Sequence, residues 1–111
     1  MAGIMAVDFE AIKLIAQNYA ADVSLELPVD KAILFGSYAK GHASEDSDID
    51  ICFFLKNYNG KRRVDMLAQI LGIGGKKYRG IFFEPIVFET VEIQNDNPLI
   101  REILVTGKEL L

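Results

Sequence analysis

Apolar residues recur at helical spacing near the start of the chain: Ile12, Ile15, Ala16 and Tyr19, with Val23 continuing the same stripe. A period near 3.6 places them on one face, so the pattern predicts an amphipathic helix from about Phe9 into the early twenties, capped by Asp8 and closed by Pro28. The pattern then changes. Lys31 to Phe35 reads as a short buried strand, Gly36-Ser37 breaks it, and Tyr38 to Lys40 adds a short helical turn ahead of Gly41. A polar loop, His42 to Asp46, leads into a second strand from Ser47 to Leu55, and Asn57 to Gly60 is turn chemistry. Arg62 to Leu71 puts Val64, Leu67, Ala68 and Leu71 on one helical face, and Gly72, Gly74 and Gly75 are expected to end that helix. A third strand, apolar on both faces, is expected over Gly80 to Phe88. Asn97 caps a last helix from Pro98 to about Val105, with proline at its first position and Gly107 as its stop.

The order helix, strand, strand, helix, strand, helix, with strands that are nearly continuous apolar runs, predicts a sheet covered by helices on at least one side. The fold class is therefore α/β in the α+β sense, a small mixed sheet flanked by helices. At 111 residues, half of them apolar, the chain is expected to form one domain over 1–111 with one core. Such a chain can build one wall of an active site, and the opposite wall is expected from a partner or a second copy. A net charge of −4 argues against a protein that grips nucleic acid through its phosphates, although metal ions can supply positive charge for a nucleotide. The single cysteine, Cys52, excludes an intramolecular disulfide and fits a reducing cytosol. Met1 to Val7 lacks the basic flank of a secretory signal, and no apolar run approaches the roughly 18–20 residues of a membrane span. The expected location is cytoplasmic.

Three features carry chemistry. Asp48-Ile49-Asp50 opens the second strand, where a period of two sends Asp48 and Asp50 to one face and Ile49, Ile51 and Phe53 to the other. A solvated acidic end of an edge strand would show the same pattern, but paired carboxylates also suit Mg²⁺, which takes one or two of them and completes its octahedron with water and phosphate. Gly36-Ser37 follows the first strand directly. It can be a plain turn, or a place where backbone approaches a ligand and the amides and serine hydroxyl donate to phosphate. Glu84 stands in the otherwise apolar Gly80 to Phe88, where a desolvated, unpartnered carboxylate is costly. The other possibility is that it lies at the strand's exposed end, with Pro85 marking an edge.

Gly36-Ser37-Tyr38-Ala39-Lys40-Gly41, followed after a short interval by Asp48-Ile49-Asp50 and an apolar continuation, resembles the nucleotidyltransferase signature of the DNA polymerase β superfamily. More closely it is similar to the minimal nucleotidyltransferases encoded beside HEPN-domain proteins, in pairs that behave as antitoxin and toxin. The resemblance runs from about Lys31 to the end. It implies a polymerase β-like fold and a metal-dependent transfer of AMP from ATP to a hydroxyl, with a HEPN-type helical protein as partner and acceptor. It implies further that Asp48, Asp50 and Glu84 hold two Mg²⁺ ions, that Glu84 helps deprotonate the acceptor, and that Gly36 and Ser37 hold the β- and γ-phosphates. The family's third acid is often aspartate, so glutamate at position 84 is a departure. Two rival readings stand beside this one: a catalytically inactive module that neutralises a partner by contact, and a small-molecule transferase of the aminoglycoside-modifying kind, which usually carries a second domain. A homo-oligomer is the lesser alternative to a helical partner.

Other residues weigh less. Lys61-Arg62-Arg63 and Lys76-Lys77-Arg79 can reach a triphosphate or a partner, but short charge runs are usually solvated. Glu89 and Glu92, beyond the apolar run, are expected in solvent, as is His42. Gly72 to Lys76 lacks the serine or threonine and the leading glycine of a phosphate loop. Cys52 is expected as a core thiol, and Tyr19, Tyr38, Tyr58 and Tyr78 as packing or surface residues.

Overall fold

A computed structural model describes residues 9–41 and 48–111. The predicted Asp8 cap, the His42–Asp46 loop and the first residue of the second strand, Ser47, lie outside the described residues. In chain order the elements are α1 (Phe9–Glu26), β1 (Val29–Phe35), α2 (Gly36–Lys40), β2 (Ile49–Leu55), α3 (Arg63–Lys77), β3 (Phe83–Glu89), a 3-10 turn (Thr90–Gln94), α4 (Pro98–Thr106) and β4 (Lys108–Glu109). The sheet runs β3-β2-β1-β4. β1 is antiparallel to both β2 and β4, whereas β2 and β3 are parallel. Parallel neighbours require a crossover, and α3 supplies it.

Alternation along β2 sorts the core into two layers. Ile49, Ile51, Phe53 and Leu55 pack with Ala16, Tyr19 and Val23 of α1 and with Met66 and Ile70 of α3. Cys52 and Phe54, on the other face, pack with Ile33, Phe88 and the Ile100 and Ile103 pair of α4. Helices therefore cover both faces of a mixed sheet, as the fold class predicts. Asn97 caps α4 as expected, its Oδ1 accepting from the Leu99 and Ile100 amides at 2.9 and 3.3 Å. Asn57 Oδ1 likewise accepts from the Asn59 amide at 3.0 Å, closing the predicted turn.

Four expectations need correction. The face read for α3 is one: Val64, Ala68 and Leu71 are exposed, and the helix buries Met66, Ile70 and Gly74 instead. The three glycines do not end α3, which continues to Lys77. Propensity is overridden by packing: the Tyr19 hydroxyl donates to the Ile70 carbonyl at 2.7 Å, and Gly74 lies so close to the Tyr19 ring that an added Cβ would stand 3.2 Å from it. Beyond that point Tyr78 and Lys77 both bond Asp22 of α1. The third strand starts at Phe83 rather than Gly80, because Gly80 takes a left-handed φ of 82° and the Ile81 amide closes a turn on the Tyr78 carbonyl. The short β4 and the 3-10 turn carry too little pattern to predict. Glu92 is not simply solvated: it receives Arg63 at 2.7 Å and caps the Glu89 amide at 2.8 Å.

Candidate functional site

The carboxylates gather at the end of the sheet where β1 finishes and β2 and β3 begin. In the ladder Phe35 pairs with Asp50, and Asp50 pairs with Glu84. In-register residues on neighbouring strands project to the same face, so the two carboxylates stand side by side. Among the described residues β2 is central and β3 is an edge strand, and Glu84 is exposed there, next to the buried Pro85. Both readings of Glu84 thus hold together: it lies at the exposed start of an edge strand, and it faces Asp50.

Electrostatics record the same closeness. Burial pushes the Asp50 carboxyl up to about 6, helped by the charge of Glu84, then by that of Asp48, and by a hydrogen bond shared with Glu84. Asp48 itself is exposed, immediately before β2. It is near enough to bear on Tyr38 as well, whose hydroxyl pKa is raised first by burial and then by Asp48. Tyr38 is 5% exposed and anchors α2 in the larger core cluster. Its position beside the acids could be read only from the fold, since nothing in its own neighbourhood of sequence distinguishes it from the other tyrosines.

Gly36 meets the acids from the β1 side. Its φ is 70°, a left-handed value that costs any residue with a Cβ, and an added Cβ would collide with the Asp50 carboxylate. The glycine therefore serves twice, turning the chain into α2 and letting backbone approach Asp50. Ser37, half-buried, follows in the first turn of α2. At the far end of that helix Lys40 pairs with Glu102 of α4 at 3.5 Å.

Gly36, Asp50 and Glu84 are thus brought together, with Ser37 and Asp48 adjacent in chain. Among the described residues no group of three His, Cys, Asp or Glu side chains is set to hold a metal ion. The close unit is the Asp50–Glu84 pair. Its chemistry fits a hard cation: oxygen donors only, mutual repulsion that a cation would relieve, and an approach kept open by the missing Cβ of Gly36. A pair is also as many carboxylates as Mg²⁺ commonly takes from protein. Cys52, next on the same face, is fully buried with its thiol pushed up to about 12, which fits a core residue and not a nucleophile.

Residues 10–111 match the family described as polymerase beta, nucleotidyltransferase, so the chain belongs to that family of transferases. A candidate protein adenylyltransferase of Methanocaldococcus jannaschii is 32% identical over 82 residues, covering 72% of this chain and 81% of the relative. A second candidate protein adenylyltransferase of that organism is 42% identical over 84 residues, covering 71% of this chain and 55% of the relative. The chain thus matches only about half the length of the second. The crystal structure of a candidate nucleotidyltransferase from Sulfolobus solfataricus aligns with a TM-score of 0.62 at 22% identity, over 91% of this chain and 80% of that one. At that identity the likeness speaks for the fold alone.

Proposed function

We propose that this chain transfers AMP from ATP to a hydroxyl of a partner protein, with Asp48, Asp50 and Glu84 as the metal-holding acids and Gly36 and Ser37 as the phosphate cradle. The observation that carries the reading is the meeting of Gly36, Asp50 and Glu84 at one end of the sheet. Membership of a nucleotidyltransferase family supports the reaction class, and the names of the two Methanocaldococcus relatives support a protein as acceptor.

In this reading the Gly36 amide and the Ser37 amide and hydroxyl donate to the β- and γ-phosphates and hold the triphosphate in line for attack. Glu84 accepts the proton of the acceptor hydroxyl. The acceptor oxygen forms a bond to the α-phosphorus, the bond from that phosphorus to the bridging oxygen breaks, and pyrophosphate leaves. Two Mg²⁺ ions held by the three acids would supply charge neutralisation for the triphosphate and for the oxygen that attacks it. Asp50, with its carboxyl raised to about 6, is ionised at neutral pH and is further favoured as an anion by any cation beside it.

A helical HEPN-type protein, encoded alongside in a toxin-antitoxin pair, is the acceptor this reading favours. The test is intact-mass analysis of that protein after incubation with ATP, Mg²⁺ and this chain. An added AMP that disappears with Asp50→Asn is expected. An unmodified partner that nonetheless binds and is neutralised would replace catalysis with contact, a reading favoured by the lack of a group of three metal ligands among the described residues.

A further inference from the structure

β2 and β3 are parallel, so no tight turn fixes where β3 begins. The starting point matters, because a shift of one residue would send every side chain of β3 to the opposite face. Glu84 would then leave Asp50 for the covered side of the sheet. The crossover helix is a poor guide to that register. Gly72, Gly74 and Gly75 lie within the last turns of α3, and glycine weakens a helix more than any residue but proline.

Two residues of α1 meet both ends of the connection. Tyr19 and Asp22 are three positions apart in that helix and so share a face. Asp22 accepts the Tyr78 hydroxyl at 2.6 Å, directly beyond the end of α3. The bond is charge-assisted, and it holds the Asp22 carboxyl below its ordinary value ahead of the bond from Lys77. Tyr19 stacks on Phe83, the first residue of β3, with ring centroids 4.0 Å apart. The Tyr78 ring closes the group, edge-on to Tyr19 at 5.7 Å and to Phe83 at 5.5 Å. Between the two anchors the backbone turns, the Ile81 amide donating to the Tyr78 carbonyl at 3.2 Å. The Phe82 carbonyl then accepts from the Ile49 amide at 2.9 Å and opens the ladder with β2. With Phe83 held against Tyr19, alternation sends Glu84 to the other face, opposite Asp50.

We propose that the Tyr78–Asp22 bond is a latch that sets the phase of β3, which makes Tyr78 and Asp22 positioning residues for Glu84. Both act from the covered side of the sheet, through the Phe83 ring. The inference rests on the reading of Glu84 as a metal-holding acid and names what keeps that acid in place.

The test uses the full chain without nucleotide. Mn²⁺, followed by electron paramagnetic resonance, probes the acids, and amide hydrogen exchange at Ile49 probes the start of the ladder. Tyr78→Phe keeps the ring and removes only the hydroxyl. It should speed exchange at Ile49 and weaken Mn²⁺ binding, each by roughly tenfold, the lower end for loss of a group that orients a metal ligand. Asp22→Ala should do the same, and the two changes together should do no more than either alone. Lys77→Ala, which removes the other bond to Asp22 and leaves the three rings in place, should change neither. In a Glu84→Gln chain, Mn²⁺ binding should no longer respond to Tyr78→Phe. Unchanged exchange at Ile49 in Tyr78→Phe overturns the proposal, because the bond then fastens the helix end alone. An equal effect of Lys77→Ala overturns it too, as does a further loss of Mn²⁺ affinity when Tyr78→Phe is added to Glu84→Gln. If the parent chain binds no Mn²⁺, the metal-holding reading of the acids fails, and exchange at Ile49 still decides the latch.

Discussion

The two faces of β2 are built to different rules. On one face Ile49, Ile51, Phe53 and Leu55 are all buried, and the strand is covered from end to end by α1 and α3. On the other, Cys52 and Phe54 are fully buried under α4, but the same face opens with Asp50, which is only half-buried, and with Asp48, which is exposed. One strand thus anchors the fold along its whole length on one side and gives up part of the other side to charge. Stability and chemistry are separated by alternation of side chains, so they should respond to different substitutions.

The largest effect expected from that separation is on the covered face. Phe53→Ala removes a fully buried ring that meets Tyr19 edge-to-face at 5.8 Å. Denaturant unfolding should show a loss of about 3–5 kcal/mol. A loss below about 1 kcal/mol, the level of a surface change, would break the comparison, because the covered face would not be the anchor. Next in size is Ser37→Ala on the chemical side. It should weaken Mg²⁺-dependent ATP binding by about 1–3 kcal/mol, with the unfolding midpoint unmoved, since a phosphate oxygen loses a donor while the core is untouched. Calorimetry that finds tight ATP binding without metal contradicts the proposed cradle.

The difference between the faces also explains what could be read from sequence. The apolar stripe through Ala16, Tyr19 and Val23, the alternation around Asp48 and Asp50, and the Asn97-Pro98 start of α4 all depend on local spacing, and local spacing is what a sequence displays. The run of Gly72, Gly74 and Gly75 pointed the wrong way because the helix is held there by Tyr19 and Asp22, contacts that lie far away in the chain. The pairing of Glu84 with Asp50 depends on the register of a parallel ladder closed by a helix, and no short pattern encodes it. The same holds for Tyr38, which becomes a neighbour of Asp48 only when α2 folds back against β2. A glycine next to a serine is the commonest of turns; the left-handed φ at Gly36 and the carboxylate against it are what distinguish this one.

Gly36 sits where the two rules meet, which makes it the third test. Gly36→Ala forces a Cβ into a left-handed backbone, at a cost of roughly 1–2 kcal/mol, and presses the Asp50 side chain out of its place. Unfolding should show a loss of that size together with a normal core signature. An alanine variant as stable as the parent would mean that this turn relaxes easily, and that the close approach of backbone to Asp50 is not fixed by the fold.

The smallest effect runs in the opposite direction, because the chemical face is where the fold is strained. The Asp50 carboxyl is raised from its ordinary range to about 6, by burial first and by Glu84 and Asp48 after it. A raised carboxyl favours the neutral form in the folded protein, so the stability linked to it is fully present below the ordinary aspartate value. It is lost as pH climbs through about 6. Asparagine keeps nearly the same shape, stays neutral at every pH, and can still donate to Glu84. Without metal, Asp50→Asn should therefore match the parent near pH 4 and exceed it by about 0.2–1 kcal/mol near pH 7–8, a gain kept modest by the solvent that reaches the pair. Thermal melts of the two proteins across that range are the measurement. A variant less stable than the parent at pH 7 would show that ionised Asp50 holds the structure together, and the face assigned to chemistry would then be part of the anchor.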